Sequence, residues 1–252
     1  MTQMFWLLRN KSGRRLLTGC ILSLTLVTAP VALAIYKPPA QPSAPKNPTT
    51  TTGRRGGCLG NAKTTLTALA PRTHVGQTIS THPVFAWFVP DLQPLPMKFR
   101  LYKYGSNGDR QLVKQIELQS SPGIVKVALP KNEPGLAVGQ TYNWQVVLLC
   151  NPNHPSSALV TGAQIKVVEM PPALRPALTT TRDAIARAEL YAQAGFWYNA
   201  LGEALASEKS RAKALQLTLL EDLANLEKAT KWSSQLRQVI EAERQPSSST
   251  TR

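Results

Sequence analysis

Acidic residues are scarce in this chain: 14 Asp and Glu stand against 29 Lys and Arg, a net charge of +15 over 252 residues. Histidine and cysteine are scarcer, with three of each. His74, His82 and His154 all fall in expected loops, with no pair at i, i+4 on a helix and no acid at a ligand spacing, which argues against a metal site. No CxxC occurs, so neither a zinc knuckle nor a dithiol redox motif is on offer. Serine-nucleophile motifs, phosphate-cradling glycine loops and paired carboxylates beside aromatic slots are lacking as well. The glycine-rich stretch 53–60 follows a linker instead of a strand and fails the context of a phosphate loop. These absences lead to the expectation of a non-enzymatic protein with no cofactor.

Long apolar runs are also lacking. The longest spans Leu16 to Val27, broken by Thr, Gly, Cys and Ser. At about a dozen residues it falls short of the roughly 20 that a membrane-spanning helix needs. Arg9, Lys11, Arg14 and Arg15 precede it with no acid, and Pro30 and the small-residue pattern Ala32-Leu33-Ala34 follow. This is the pattern of a secretory signal peptide over residues 1–34, with cleavage after Ala34; a retained anchor is the alternative. Leu17-Thr18-Gly19-Cys20 has the letters of a lipoprotein box, but its Cys precedes the apolar run instead of ending it. A periplasmic or extracellular location is expected, with membrane contact only through the signal before cleavage.

Cleavage would remove Cys20 and leave Cys58 and Cys150. In an oxidising compartment that pair is a disulfide candidate, and two unpaired thiols are the other reading. Charge is uneven as well. Residues 35–170 hold 14 basic and 5 acidic side chains, and residues 171–252 hold 11 and 9. Such a balance suits nucleic acid, but an exported protein meets anionic glycans, lipid headgroups and acidic proteins instead. Scattered cations that keep sheet edges soluble are the bland alternative.

Residues 35–57 read as a linker, with Pro38, Pro39, Pro42, Pro45 and Pro48, four Thr at 49–52, and then GRRGG. An extended tether is expected there. Between residues 58 and 170 seven strands are expected: 64–70, 84–89, 98–104, 111–118, 124–129, 141–149 and 159–168. Turn residues separate them, among them Ser106-Asn107-Gly108-Asp109, a good hairpin turn. The stretch 136–150 is the clearest. After a turn at Val138-Gly139, Tyr142, Trp144, Val146, Leu148 and Cys150 share one strand face. The spacing of Leu136, Gly139 and Tyr142 resembles a tyrosine corner, where a Tyr near the start of a central strand bonds back to the preceding connection. Phe85, Trp87 and Val89 alternate likewise, and Trp87 and Trp144 read as core aromatics.

At Glu169 the period changes from two to about 3.6. Thr179 to Thr181 with Asp183 make a helix start. One helix is expected over 184–206 and a second over about 210–243, with a break possible at Thr230 to Trp232. Tyr191, Ala194, Gly195 and Tyr198 resemble the first helix of a tetratricopeptide repeat, but only one such unit is present. The expected architecture is α+β: a seven-stranded immunoglobulin/fibronectin-like β-sandwich (58–170), then a tetratricopeptide-like α-helical hairpin (171–244) and a disordered tail (245–252).

Gly57-Cys58 followed by LTALAP (66–71), Pro83, Phe85, Trp87, Pro90, Pro122-Gly123-Ile124, Leu129-Pro130, Gly139, Tyr142, Trp144 and Cys150-Asn151-Pro152 form a set. With Arg187-Ala188, Tyr191-Ala192, Ala194-Gly195, Trp197-Tyr198 and Ala200-Leu201, this set resembles an uncharacterised, mostly cyanobacterial family catalogued as domain of unknown function 928. Leu59 and Asn151 stand where that family's pattern has a Pro and an Asp. The resemblance implies fold, export and cyanobacterial origin, and carries no chemistry. The leading functional expectation is an exported binding or adaptor protein of the cell envelope. Tyr191, Phe196, Trp197 and Tyr198 would pack internally or meet a partner protein. The rival is a structural envelope protein whose basic β-domain binds anionic cell-wall or outer-membrane polymers.

Overall fold

A computed structural model of the chain describes residues 35–46, 57–60, 62–105 and 107–245. The expected signal peptide (1–34), the Thr run and Arg54-Arg55 of the linker, and nearly all of the tail lie outside the described residues. All described residues belong to one compact unit, Ala34–Arg252.

The fold is α+β, with two sheets and five helices. The strands are β1 (Thr67–Ala68), β2 (Gly76–Thr78), β3 (Val84–Val89), β4 (Pro96–Tyr104), β5 (Arg110–Gln119), β6 (Gly123–Ala128), β7 (Thr141–Leu148) and β8 (Leu159–Val167). One sheet has the order β1-β3-β6 and the other β2-β8-β7-β4-β5. All pairings are antiparallel except β2 with β8. Six of the seven expected strands fall where alternation places them; the first shrinks to two residues. The unforeseen strand, β2, has three residues, too few to show a period.

The alternation translates directly into the core. Phe85 and Trp87 of β3 meet Phe99 of β4 and Trp144 of β7, with ring centroids 4.9 to 6.4 Å apart. All four side chains are fully buried. At the turn before β7, Gly139 adopts φ +85°. The Tyr142 hydroxyl accepts from Ala137 N at 3.0 Å, so this Tyr does bond back to the connection preceding its strand.

The helices are α1 (Arg175–Thr180), α2 (Ala184–Gln193), α3 (Trp197–Ala204), α4 (Ser210–Leu226) and α5 (Lys231–Arg244). Asp183 caps α2 by accepting from Ala186 N, and Thr230 caps α5 by accepting from Trp232 N. The single helix expected over 184–206 is instead α2 and α3, broken at Gly195. There Gly195 takes φ +86°, Phe196 N donates to Tyr191 O and Gly195 N donates to Ala192 O. These two bonds are a Schellman motif, which ends a helix at a left-handed residue. A glycine followed by a large apolar residue was its sequence signal.

The sheets and helices do not keep separate cores. One continuous apolar cluster takes in both sheets and residues from all five helices. Helix α3 packs on β2 and β3, one strand from each sheet, and α5 packs on β1. The boundary expected near residue 170 is therefore a change of secondary structure inside one packed body.

The linker reading also needs correction. Residues 35–46 are extended but do not form a free tether. Tyr36 is 1% exposed, and its ring meets Trp197 edge-on at 4.8 Å. Lys37 N donates to Ala192 O, and Ser43 O accepts from Val75 N. Gln164 accepts from Lys46 N and donates to Lys46 O. This segment is a strap from α4 and α2 across to β2 and β8. Proline suits it, because a strap bonding only at intervals has little use for a full set of N–H donors.

Candidate functional site

The aromatics that the sequence singled out for a partner or a core belong to the core. Tyr191, Phe196, Trp197 and Tyr198 are 5%, 3%, 0% and 2% exposed. Trp197 Nε1 donates to Leu69 O at 2.9 Å. The Tyr198 hydroxyl accepts from Trp144 Nε1 at 2.8 Å and donates to Gln164 O at 2.9 Å. Trp197 and Tyr198 fasten helix α3 to the sheets, and Tyr191, on α2, bonds Arg187; with all four side chains buried, none of them presents an exposed aromatic surface.

Under the strap lies a buried polar chain that no sequence pattern announced. The Tyr36 hydroxyl stands 2.8 Å from His74 Nε2. Burial pushes the Tyr36 hydroxyl far above its ordinary pKa, so it stays protonated, and it donates to Nε2 because Thr73 Oγ1, which gives its own hydrogen to Glu227, needs the imidazole hydrogen on Nδ1. Burial pushes His74 down, which keeps the imidazole neutral. His74 Nδ1 then points its hydrogen at Thr73 Oγ1, 3.4 Å away. Thr73 Oγ1 in turn donates to Glu227 Oε1 at 3.0 Å, an oxygen that also accepts from Arg72 N and Thr73 N. Glu227 is 0% exposed. Arg72, brought down to about 10 by burial against the opposing pull of Glu227, lies over the Trp232 ring at 3.8 Å and donates to Gly162 O. The chain ties strap, sheet and helix α5 together.

The remaining histidines are also placed in loops. His82 Nε2 bonds Glu133 O and its Nδ1 meets Thr81 Oγ1; His154 is exposed. A cavity of about 200 Å³ opens beside His82, lined by Ser80, Val84, Asn199 and Glu203 among others. Its polar groups already have internal partners: Asn199 Oδ1 accepts from Thr78 Oγ1 and Ile79 N, and Glu203 pairs with Arg187. Among the described residues no cluster of three His, Cys, Asp or Glu could hold a metal ion, and no helix is long and apolar enough to cross a membrane. Cys58 and Cys150 form a disulfide across 92 residues, joining the segment before β1 to the end of β7.

The accessible polar surface that the fold does assemble is the outer face of the five-stranded sheet. The register puts Lys98, Arg100 and Tyr102 of β4 on that face, beside Arg110, Gln115 and Glu117 of β5 and Gln145 of β7. Successive outward residues of one strand stand about 7 Å apart, so Lys98 and Arg100 form a short cationic row. Arg100 Nε donates to Gln115 at 2.8 Å. Arg110 lies over the Tyr102 ring at 3.8 Å and donates to Gln145 at 3.1 Å. Each guanidinium is thus hydrogen-bonded to a neutral amide. Lys98 pairs with Glu117 at 2.9 Å and holds its carboxyl below the usual range, with a further pull from Arg100.

Strand order and the shared core define an α+β protein of two sheets with helices packed against strands of both. The model of the family described as Domain of Unknown Function (DUF928) matches residues 50–243, and the chain belongs to that family. No curated protein matches it, and no solved structure does.

Proposed function

We propose that this protein is exported through a cleavable signal peptide and acts without catalysis, its basic sheet face binding anionic polymers of the cell envelope. The single observation that carries this reading is the group Lys98, Arg100 and Arg110 gathered on one open face, both guanidiniums hydrogen-bonded to glutamines and Lys98 paired with Glu117. Guanidinium groups are weakly hydrated and fit carboxylate and phosphate in a bidentate manner. A disulfide candidate pair and a basic leader support export. The sheet orders β1-β3-β6 and β2-β8-β7-β4-β5, with Tyr142 bonded back before β7, support an immunoglobulin-like sandwich. The disulfide departs from that plan, since neither cysteine lies in a strand. Helices α2 and α3 around Gly195 are the part that supports a tetratricopeptide-like hairpin.

The test is binding of the processed protein to isolated cell-wall sacculi and to anionic outer-membrane vesicles. Retention should fall steeply between low salt and about 0.15 M, where the Debye length is about 8 Å. The triple variant K98E/R100E/R110E should lose at least tenfold in affinity. Salt-independent retention, or an unchanged triple variant, refutes the reading.

A second reading, an adaptor for another envelope protein, rests on one observation. Leu112 and Val113 are 55% and 46% exposed on β5, the edge of its sheet. An apolar edge strand can take an added strand from a partner. Discrete capture of one protein, lost on V113D and kept at high salt, would favour it over polymer binding.

A further inference from the structure

Ile35 and Tyr36 both donate their backbone N–H to one oxygen of Asp222, at 2.7 and 2.9 Å. Asp222 sits on helix α4 and is 7% exposed. Among the described residues no Lys or Arg forms an ion pair with it. A buried carboxylate met only by neutral amides lacks a counter-charge, and such a charge is costly to keep out of water. Chain segments next to a processing site are also ordinarily loose. Here the first two residues after the expected cleavage point are anchored instead, Tyr36 by its ring in the core and Ile35 against the same cluster.

We infer that Asp222 is the binding site of the mature N-terminus, and that processing between Ala34 and Ile35 completes the fold. The inference rests on the export reading proposed above. A membrane endopeptidase of the host and one water hydrolyse the Ala34–Ile35 amide. The carboxyl stays with Ala34, and the nitrogen, protonated at neutral pH, becomes the α-ammonium of Ile35. In place of one neutral N–H, the carboxylate then faces a full positive charge with several donors, at a nitrogen already 2.7 Å away. Charge-assisted bonds of this kind are about twice as strong as neutral ones. The strap that begins at Ile35 covers the Tyr36–His74 pair and reaches β2 and β8. Its docking thereby becomes coupled to removal of the leader, and an uncleaved chain holds the strap less firmly than a processed one.

The experiment uses the full chain exported from a suitable host. One variant carries a Gly inserted between Ala34 and Ile35, which keeps the cleavage site and displaces the new amine by one residue, about 3.5 Å. Intact mass reads where the mature chain begins, and denaturant titration reads its stability. The expected result is a start at Ile35, with a folded-to-unfolded ratio about tenfold lower in the Gly-inserted protein. D222N should cause a similar fall in the parent and little further fall in the inserted protein. The Ile35 amine should also acylate several-fold more slowly at neutral pH in the parent than in D222N, a readout that packing alone would not move. A chain that keeps its leader overturns the export reading and this inference together, and cleavage at another bond overturns this inference alone. A start at Ile35 with equal stability and equal amine reactivity overturns this inference alone.

Discussion

The indole N–H of Trp144 donates to the Tyr198 hydroxyl at 2.8 Å, and that hydroxyl donates onward to Gln164 O. One phenol oxygen from helix α3 thus satisfies a buried donor of β7 and a buried carbonyl of β8. The helices are thereby fastened to the five-stranded sheet.

Tyr198→Phe keeps the ring, 5.9 Å from Phe85, and removes only the oxygen. It leaves the Trp144 N–H buried without an acceptor, at a cost of about 1–3 kcal/mol. A lower urea midpoint with an unchanged slope is the expected outcome, and an unaltered midpoint would contradict the bridging role.

Removing the disulfide should be costlier. It closes a loop of 92 residues, for which the chain-entropy account gives about 4–5 kcal/mol. The variant C58A/C150A should unfold at markedly lower denaturant than the parent under non-reducing conditions. Adding a reductant should lower the parent towards the variant and leave the variant where it is.

Acid should weaken the strap junction through His74. Burial lowers its pKa in the folded state below the unfolded value of about 6.5, with Glu227 partly opposing. The unfolded chain therefore takes up the proton first. Stability is full above about pH 6.5 and declines as pH falls through that value, by at most about 1.4 kcal/mol per pH unit. His74→Gln, which keeps an acceptor for Tyr36 and cannot charge at this pH, should flatten the stability profile between about pH 5 and 7.

Glu227→Ala should be among the most damaging single changes. It strips the acceptor from Arg72 N, Thr73 N and Thr73 Oγ1 and removes the negative charge that favours the charged form of the buried Arg72. A loss of about 3–5 kcal/mol is expected. Glu227→Gln, which keeps an oxygen in place but no charge, should lose less, and equal losses for the two variants would show that the acceptor has no part and that the lost charge accounts for the whole effect.

The strands from β3 to β8 were legible because each is long enough to alternate and one face of each is buried, as in Phe85-Ala86-Trp87 and Tyr142 to Leu148. The helix start at Asp183 was legible for a similar local reason, a side chain satisfying a backbone donor three residues away, and the break expected at Thr230 to Trp232 falls where Thr230 caps α5. The break at Gly195 was present in the sequence too, but a run of apolar residues at helical spacing on both sides of it masked the turn.

The site depended on distances that no local pattern contains. Whether Tyr191, Phe196, Trp197 and Tyr198 are core or contact is decided by which surface covers them, and the covering strands lie more than thirty residues away in the chain. The cationic face required the β4–β5 and β4–β7 registers before Lys98, Arg100 and Arg110 could be placed side by side. The proline-rich strap was misleading because its composition forbids a core of its own without forbidding a place on another. Sequence alone determined most elements of this protein, the candidate pair Cys58 and Cys150 and its excess of positive charge, because periodicity, residue type and charge are local properties. Only the tertiary structure decided that Tyr36 meets His74, that Asp222 meets Ile35 and that the helices share one core with the two sheets, because burial and hydrogen-bond satisfaction depend on what the rest of the chain brings within a few ångströms.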